Sequence, residues 1–344
     1  MKSWDLVRYA LSGCVATALL SACGGSQPPI GTPEAMPQRQ TSAITTRADN
    51  IAPLQKLPRN LLYVVNSAPS YKHTFIAVFN AEDESRSPRP IYTIRPQAGG
   101  NFANLAVDQH NDLFAAVVFA NGTKLEIFPS GHTKPTASCV FKKHVNPFIV
   151  GKVLYLATQS DKVAEYSTPF VSGKQCAKPL KVLTDQRAEL RGTLSDVAAD
   201  PSGDVFDTWY NDGPGSWMDE FPAGSTKAHD FAYLGAGFTA WYVTSDTKGN
   251  IITAVQQYHG DHARQIAVFP RGSRAPKLFH AMPSGAYYGF AVGINDSRLF
   301  VEKNYPQVAV DVFQYDEARA RVGELLYSFP DSGDASGIAV FSSK

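Results

Sequence analysis

The chain has 344 residues, of which 44 % are hydrophobic and 18 % are charged, and its formal net charge is +1. A core of substantial size can therefore form, and the near-neutral charge argues against a nucleic acid partner. The 26 glycines, 23 prolines and many Phe and Tyr residues combine turn formers with strand formers, which favours an all-β chain.

Residues 1–22 are predicted to form a lipoprotein signal peptide. The apolar stretch from Tyr9 to Leu20 is too short for a membrane span and has the length of a signal-peptide core. It ends in the sequence LSAC at residues 20–23, which resembles the lipobox of bacterial lipoproteins. The resemblance implies that Cys23 is lipidated and anchors the protein to a membrane of the cell envelope, the outer membrane in a Gram-negative host. An ordinary secretory signal, cut near Ala22, is the alternative.

Residues 23–57 are predicted to be the lipidated cysteine and a disordered tether. The segment is rich in Gly, Pro, Ser, Thr and Gln and has few large apolar residues, so it cannot bury enough surface to offset the entropy cost of ordering. A flexible coil of this length would reach roughly 30–35 Å. The folded domain is therefore predicted to span residues 58–344.

Two cysteines, Cys139 and Cys176, lie within this domain. Disulfides persist in export compartments, so a bridge between the two is one interpretation. Two buried thiols in adjacent repeats are the other, because sequence does not give the distance between them.

A short segment recurs three times, as FPSG at 128–131, FPAG at 221–224 and FPRG at 269–272. Upstream of each lies a second shared segment, at 106–116, 198–208 and 244–254, with an Asp before a turn that contains Asn or Gly. Repeats of this length with strand-type composition indicate a β-propeller or a similar array.

Each repeat can be divided into four strands, and the second strand of each gives the count of repeats. Six second strands are predicted, at 62–65, 113–117, 154–157, 205–208, 251–255 and 299–302. The domain begins on a second strand and ends on a lone first strand, Ile338–Val340, and either one alone would be an exposed edge. Pairing the C-terminal strand with the N-terminal blade closes a six-bladed β-propeller; seven blades are the alternative.

The motifs AVDxxGxLY and VFxxG make residues 58–344 resemble six-bladed propellers of the NHL-repeat and gluconolactonase/regucalcin-like type. The resemblance implies two functions: a binding or scaffolding module, or a lactonase-like hydrolase that needs a divalent metal such as calcium. The hydrolases carry a signature similar to residues 191–203, but Ser195 stands where they have a ligating Asn, and their early Glu-Gly-Pro motif is absent. Asp196 and Asp200 are therefore interpreted as turn and blade-packing residues, and no catalytic or metal-binding residue or cofactor is assigned.

The loops from second to third strands and from blade to blade share one face of a propeller, which is the default ligand site. Aromatic and amide side chains in these loops favour stacking and hydrogen bonding to a sugar or a peptide. The favoured function is thus an envelope-anchored module that binds a protein or carbohydrate. The candidate ligand-binding residues are Tyr71, Asn104, Tyr210, Trp241, Tyr258, Tyr288 and Tyr305.

Overall fold

A computed structural model gives the fold, and all 26 strands of its described part belong to the compact unit Pro53–Lys344. Within this part, no helix has the length and apolarity that crossing a bilayer requires. The structure describes residues 57–67, 74–85, 87–96, 100–158, 162–172, 175–185, 193–210, 216–235, 238–257, 264–279, 292–295, 297–303, 309–330 and 337–341.

Six four-stranded antiparallel sheets follow one another and form blades 1–6 of a β-propeller. Blade 1 contains β1 Leu61–Ser67, β2 Thr74–Asn80 and β3 Tyr92–Ile94, and blade 2 contains β4 Asn101–Val107, β5 Leu113–Phe119, β6 Gly122–Phe128 and β7 Ala137–Phe141. Blade 3 contains β8 Val145–Val150, β9 Val153–Thr158, β10 Lys162–Ser167 and β13 Lys181–Thr184. The hairpin of β11 Val171–Ser172 and β12 Gln175–Cys176 lies between β10 and β13 in the chain.

Blades 4–6 have the same order of strands from the inside outwards. Blade 4 contains β14 Thr193–Ala199, β15 Val205–Tyr210, β16 Trp217–Phe221 and β17 His229–Tyr233, and blade 5 contains β18 Phe238–Ser245, β19 Ile251–Gln257, β20 Arg264–Phe269 and β21 Lys277–Phe279. Blade 6 contains β22 Val292–Asn295, β23 Arg298–Lys303, β24 Ala309–Asp316 and β25 Arg321–Pro330. The last strand is β26 Ile338–Phe341.

The last strand closes the ring, as the sequence predicts. β26 is the innermost strand of blade 1 and pairs antiparallel with β1, with Leu61 opposite Phe341. The backbone N–H of Val65 extends this pairing by donating to the carbonyl of Gly337 at 2.8 Å. A Cβ at Gly337 would lie 2.3 Å from the carbonyl oxygen of Ala103 on β4. A glycine is therefore required where the closing strand meets blade 2.

The buried apolar residues that the structure describes form six clusters, and each fills the space between two adjacent blades. The cluster between blades 6 and 1 packs Leu62 and Ile338 against Phe300 and Val312. Because this cluster joins the first blade to the last, the ring is closed by buried apolar surface as well as by strand pairing.

The repeated Asp turns join first and second strands, and the turn at Asp246 is typical. Asp246 Oδ1 accepts hydrogen bonds from the backbone N–H groups of Lys248 and Asn250, at 2.9 and 2.8 Å. Gly249 has a φ of +84°, which glycine adopts at no steric cost. Asp108 and Asp200 make the equivalent pair of bonds. The predicted hairpin chemistry is confirmed at all three turns.

The same turns hold the FPxG segments in place. Asn250 Oδ1 accepts a hydrogen bond of 3.1 Å from the N–H of Arg271, and Asp112 and Asp204 accept the equivalent bonds in blades 2 and 4. Each recurring motif thus connects the inner half of a blade to its outer half, which explains why the two segments recur together.

The loops between blades, which the sequence predicts to carry candidate ligand-binding residues, are shorter than expected. The inner strands β4, β8, β14 and β18 begin within residues 99–104, 144–147, 191–196 and 237–241. Three of these strands contain a β-bulge, and the extra residues interrupt the period-two alternation by which a strand is recognised.

Candidate functional site in the central channel

The innermost strands surround a central channel with a volume of about 190 Å³. An engineered apolar cavity of about 150 Å³ in another protein accepts benzene, so this channel has room for a small molecule or for one side chain of a larger ligand. Its described lining comes from five of the six blades: Asn104–Val107, Pro147–Ile149, Asp196, Tyr242–Ser245 and Gly337–Val340.

The β-bulges of the inner strands coincide with polar residues of the channel lining. In β4 the register shifts between Phe102 and Leu105, beside Asn104. In β14 it shifts immediately before Asp196, and in β18 it shifts at Tyr242. Bulges re-aim side chains and are frequent next to functional sites. All three of these polar residues line the channel.

Asp196 is the only charged residue among the described residues of the channel wall. Its Oδ2 accepts a hydrogen bond of 3.1 Å from the backbone N–H of Val243, which connects blade 4 to blade 5. Asp196 is half-buried and belongs to the described lining of the channel. Burial raises the pKa of the Asp196 carboxyl to about 7, although hydrogen bonds from the N–H groups of Val243 and Val197 oppose the shift. Perturbed carboxyl groups of this kind are characteristic of functional sites.

Phe148 and Tyr242 are the aromatic residues of the described lining, and Tyr242 also packs against the apolar cluster between blades 5 and 6. Burial raises the pKa of its phenol, and the negative charges of Glu302 and Asp196 raise it further. The phenol therefore stays protonated at physiological pH and can donate a hydrogen bond. The carbonyl of Tyr242 accepts a 2.7 Å bond from Thr253 Oγ1, which fixes the bulged backbone of β18 to its neighbour β19.

Asn146 holds the bulge of β14 in place from blade 3. Its Nδ2 donates a hydrogen bond to the carbonyl of Ser195, the residue that the bulge adds. Ser195, which stands where the hydrolases of the sequence resemblance have a ligating Asn, thus contributes its carbonyl to a contact between blades 3 and 4.

The Asp200 side chain forms a turn, as interpreted from the sequence. Asp196 packs blade 4 against blade 5 through its bond to Val243, in agreement with its interpretation as a blade-packing residue, and it also belongs to the channel lining. A hard divalent cation takes several oxygen ligands. The described lining supplies one carboxylate, and in the described part of the chain no three His, Cys, Asp or Glu side chains are grouped to hold a metal. These described residues do not match the ligand set that the hydrolase resemblance implies.

The predicted ligand-binding residues divide into two groups. Asn104 lies in β4 at the channel, Tyr210 ends β15, and Trp241 lies in the bulge of β18 beside Tyr242. These three were predicted in loops but belong to strands. The remaining predicted residues, and the lipidation site, lie outside the described ranges: Cys23, Tyr71, Tyr258, Tyr288 and Tyr305.

Cys139 and Cys176 lie at bonding distance, with 1.95 Å between their sulfur atoms. Cys139 is buried in the outer strand of blade 2, and Cys176 belongs to the hairpin β11–β12, an insertion in blade 3. In this arrangement the disulfide connects two adjacent blades at the rim of the propeller, away from the channel lining.

No protein-family model and no curated protein matches this chain. Three solved structures show its fold. A protein of unknown function from Bacteroides caccae is 9 % identical, covers 82 % of this chain and 99 % of its own, and has a TM-score of 0.54. A protein from Lactobacillus plantarum is 9 % identical, and the match covers 83 % of this chain and 100 % of that protein with a TM-score of 0.51. U3-55K is 12 % identical, and the match covers 82 % of this chain and 86 % of U3-55K with a TM-score of 0.53. Similarity at this level of identity supports the β-propeller fold alone.

Proposed function

We propose that this chain is a lipid-anchored β-propeller of the cell envelope that binds a ligand through its central channel. The observation that supports ligand binding is the channel wall itself, where Asp196, Tyr242 and Asn104 line one cavity. Binding sites are concave, mostly apolar and furnished with a few convergent polar groups. The channel is concave and combines a few convergent polar groups with apolar residues of β4, β8 and β26, and polar atoms form the larger part of its exposed surface.

The size of the channel limits how a ligand can enter it. A volume of about 190 Å³ takes a small molecule, or one side chain or terminal group of a protein or polysaccharide. A macromolecular partner would therefore place a single group in the channel and rest its remaining surface on the propeller.

The binding function is tested with three soluble probe classes, namely amines, carboxylates and neutral saccharides, applied to the wild-type protein and to channel variants. Asn104→Leu and Tyr242→Phe each remove one polar group of the wall. A probe that raises the melting temperature of the wild type should lose this effect in both variants. If every probe that binds does so equally well to the variants, or if no probe binds, the channel is not the ligand site.

The membrane anchor rests on the lipobox-like sequence at residues 20–23. Mass spectrometry of the protein purified from its host membrane should find a mature N-terminus at Cys23 that carries acyl chains. The matched variant Cys23→Ala should lose the acyl chains and leave the membrane fraction. An unmodified wild-type N-terminus at another residue would contradict the anchor but would leave the proposed channel site untouched.

A further inference from the structure

The charge of the channel indicates the chemical class of its ligand. Among the lining residues that the structure describes, Asp196 is the one carboxyl group, and none is Lys, Arg or His. An ionised carboxylate that is removed from water without a cation is unfavourable. A ligand of positive charge would supply a partner that the described lining does not provide.

A second observation also points to a cation. Asp196 and Glu302 both raise the pKa of the Tyr242 phenol, so each carboxyl group, when ionised, favours a positive charge near the ring. An aromatic face also attracts organic cations, with an energy that increases when the site is desolvated. The carboxylate and the ring therefore favour the same kind of ligand, whereas an anion would be repelled by both carboxyl groups.

We infer that the central channel binds a small organic ammonium group, with Asp196 as its counter-ion and Tyr242 as an aromatic and hydrogen-bonding wall. This inference rests on the proposed function and names the class of ligand for the same site. The channel volume is enough for a primary amine of roughly six to eight heavy atoms, by comparison with the benzene-sized cavity. The aliphatic part of such an amine would contact the apolar residues Phe148 and Ile338, which also line the channel.

Binding should depend on pH through Asp196. Described titratable groups near it are Tyr242 on β18 and, beyond the phenol, Glu302 on β23. The described neighbours on the adjacent strands are uncharged: Thr208 on β15 pairs with Asp196, and Asn146 on β8 contacts Ser195 beside it. Because burial raises the pKa of Asp196 to about 7, its carboxylate forms mainly above that pH. An alkylammonium stays protonated throughout, so affinity should increase as the pH rises.

The test uses three probes of the same size and different charge on the full-length protein: n-butylammonium, n-butanol and n-butyrate. Isothermal titration calorimetry at pH 8 should detect butylammonium binding at least roughly tenfold tighter than that of butanol, and no binding of butyrate. Between pH 8 and pH 5 the affinity for butylammonium should fall by up to roughly 100-fold, since the ionised fraction of a group with a pKa near 7 falls by that factor.

Asp196→Asn is the decisive variant, because asparagine keeps the acceptor for the Val243 N–H and removes the charge. It should weaken butylammonium binding at pH 8 by at least roughly tenfold and remove the pH dependence. Glu324→Gln, on the exposed outer strand of blade 6, removes the same charge outside the channel and should bind like the wild type. Circular dichroism of both variants checks that each one folds like the wild type.

The outcomes separate this inference from the proposed function. If a saccharide or a carboxylate binds in a channel-dependent way and butylammonium does not, the inferred ligand class is wrong and the binding function stands. If butylammonium binds equally well to the wild type and to Asp196→Asn, the assignment of Asp196 is wrong. If no probe responds to any channel substitution, both the inference and the proposed function fail.

Discussion

Replacing Asp196 with asparagine should stabilise the protein at pH 8 and should stabilise it much less at pH 5. Burial raises the pKa of this carboxyl from 3.8 to about 7. Between these two values the unfolded chain has released the proton and the folded protein still holds it. Wild-type stability therefore falls as the pH rises from about 4 to about 7, and above that pH the cost stays constant. Asparagine is neutral at every pH and does not incur this cost.

The magnitude follows from the pKa shift. One pKa unit corresponds to about 1.4 kcal/mol, so a shift from 3.8 to about 7 gives about 4 kcal/mol of cost at pH 8. At pH 5 only the part of the shift between pH 3.8 and pH 5 contributes, which is about 1–2 kcal/mol. The benefit of the substitution should thus be larger at pH 8 by about 2–3 kcal/mol. For a domain of this size this difference corresponds to roughly 3–5 °C in melting temperature.

Urea denaturation of the wild type, Asp196→Asn and Glu324→Gln at both pH values measures this difference. The Glu324 variant removes an exposed carboxylate and should leave the free energy of unfolding unchanged within about 0.5 kcal/mol. Equal effects of Asp196→Asn at pH 5 and pH 8, or a larger benefit at pH 5, would show that the Asp196 carboxyl is not strained by burial. Stabilisation accompanied by loss of ligand binding would be the trade-off expected of a functional residue.

Three further substitutions or treatments test the fold. Gly337→Ala places a Cβ 2.3 Å from a carbonyl oxygen of blade 2 and should lower the free energy of unfolding by roughly 1–3 kcal/mol. The control Gly151→Ala has open space around its Cβ and should lower it by about 1 kcal/mol, because an alanine is strained at a positive φ. Asp246→Ala leaves two backbone N–H groups of its turn without their acceptor and should cost roughly 2–4 kcal/mol, against about 0.5 kcal/mol or less for the exposed neighbour Thr247→Ala. Reduction of the disulfide should free two thiols for alkylation and lower the free energy of unfolding by roughly 3–4 kcal/mol, from the 37-residue separation of its cysteines; labelling of both thiols in denatured, unreduced protein would contradict the bridge.

The outer three strands of each blade were largely predictable because their signals are local. The turn at Asp246 is formed by its own side chain and a following glycine, and both can be identified in the sequence. The closure of the ring was predictable for a different reason. The domain starts on a second strand and ends on a first strand, and neither strand is left as an exposed edge if the two pair. β26 pairs with β1 in this way.

The inner strands and the site were not predictable in the same way. A strand that lines a polar channel lacks the regular alternation of apolar and polar residues, and a bulge shifts that alternation by one residue. Trp241 was therefore chosen as the candidate in this segment, while Tyr242 beside it lines the channel. Asp196 was recognised in the sequence, but its role depends on blade 5, whose Val243 is 47 residues away along the chain.

The insertion in blade 3 was also missed. Its two strands, β11 and β12, have two residues each, which is too short for any periodicity to be visible. A possible signal was Cys176 in this segment, since a bridge to Cys139 would require the segment to lie beside the outer strand of blade 2.

A crystal structure of the protein at pH 8 with n-butylammonium tests the account most directly. The account predicts a closed six-bladed ring with the amine in the central channel, its nitrogen within hydrogen-bonding distance of the Asp196 carboxylate and its carbon chain along the apolar wall. A channel that stays free of the amine while butylammonium occupies another surface, or a last strand that does not pair with Leu61–Ser67, would contradict it.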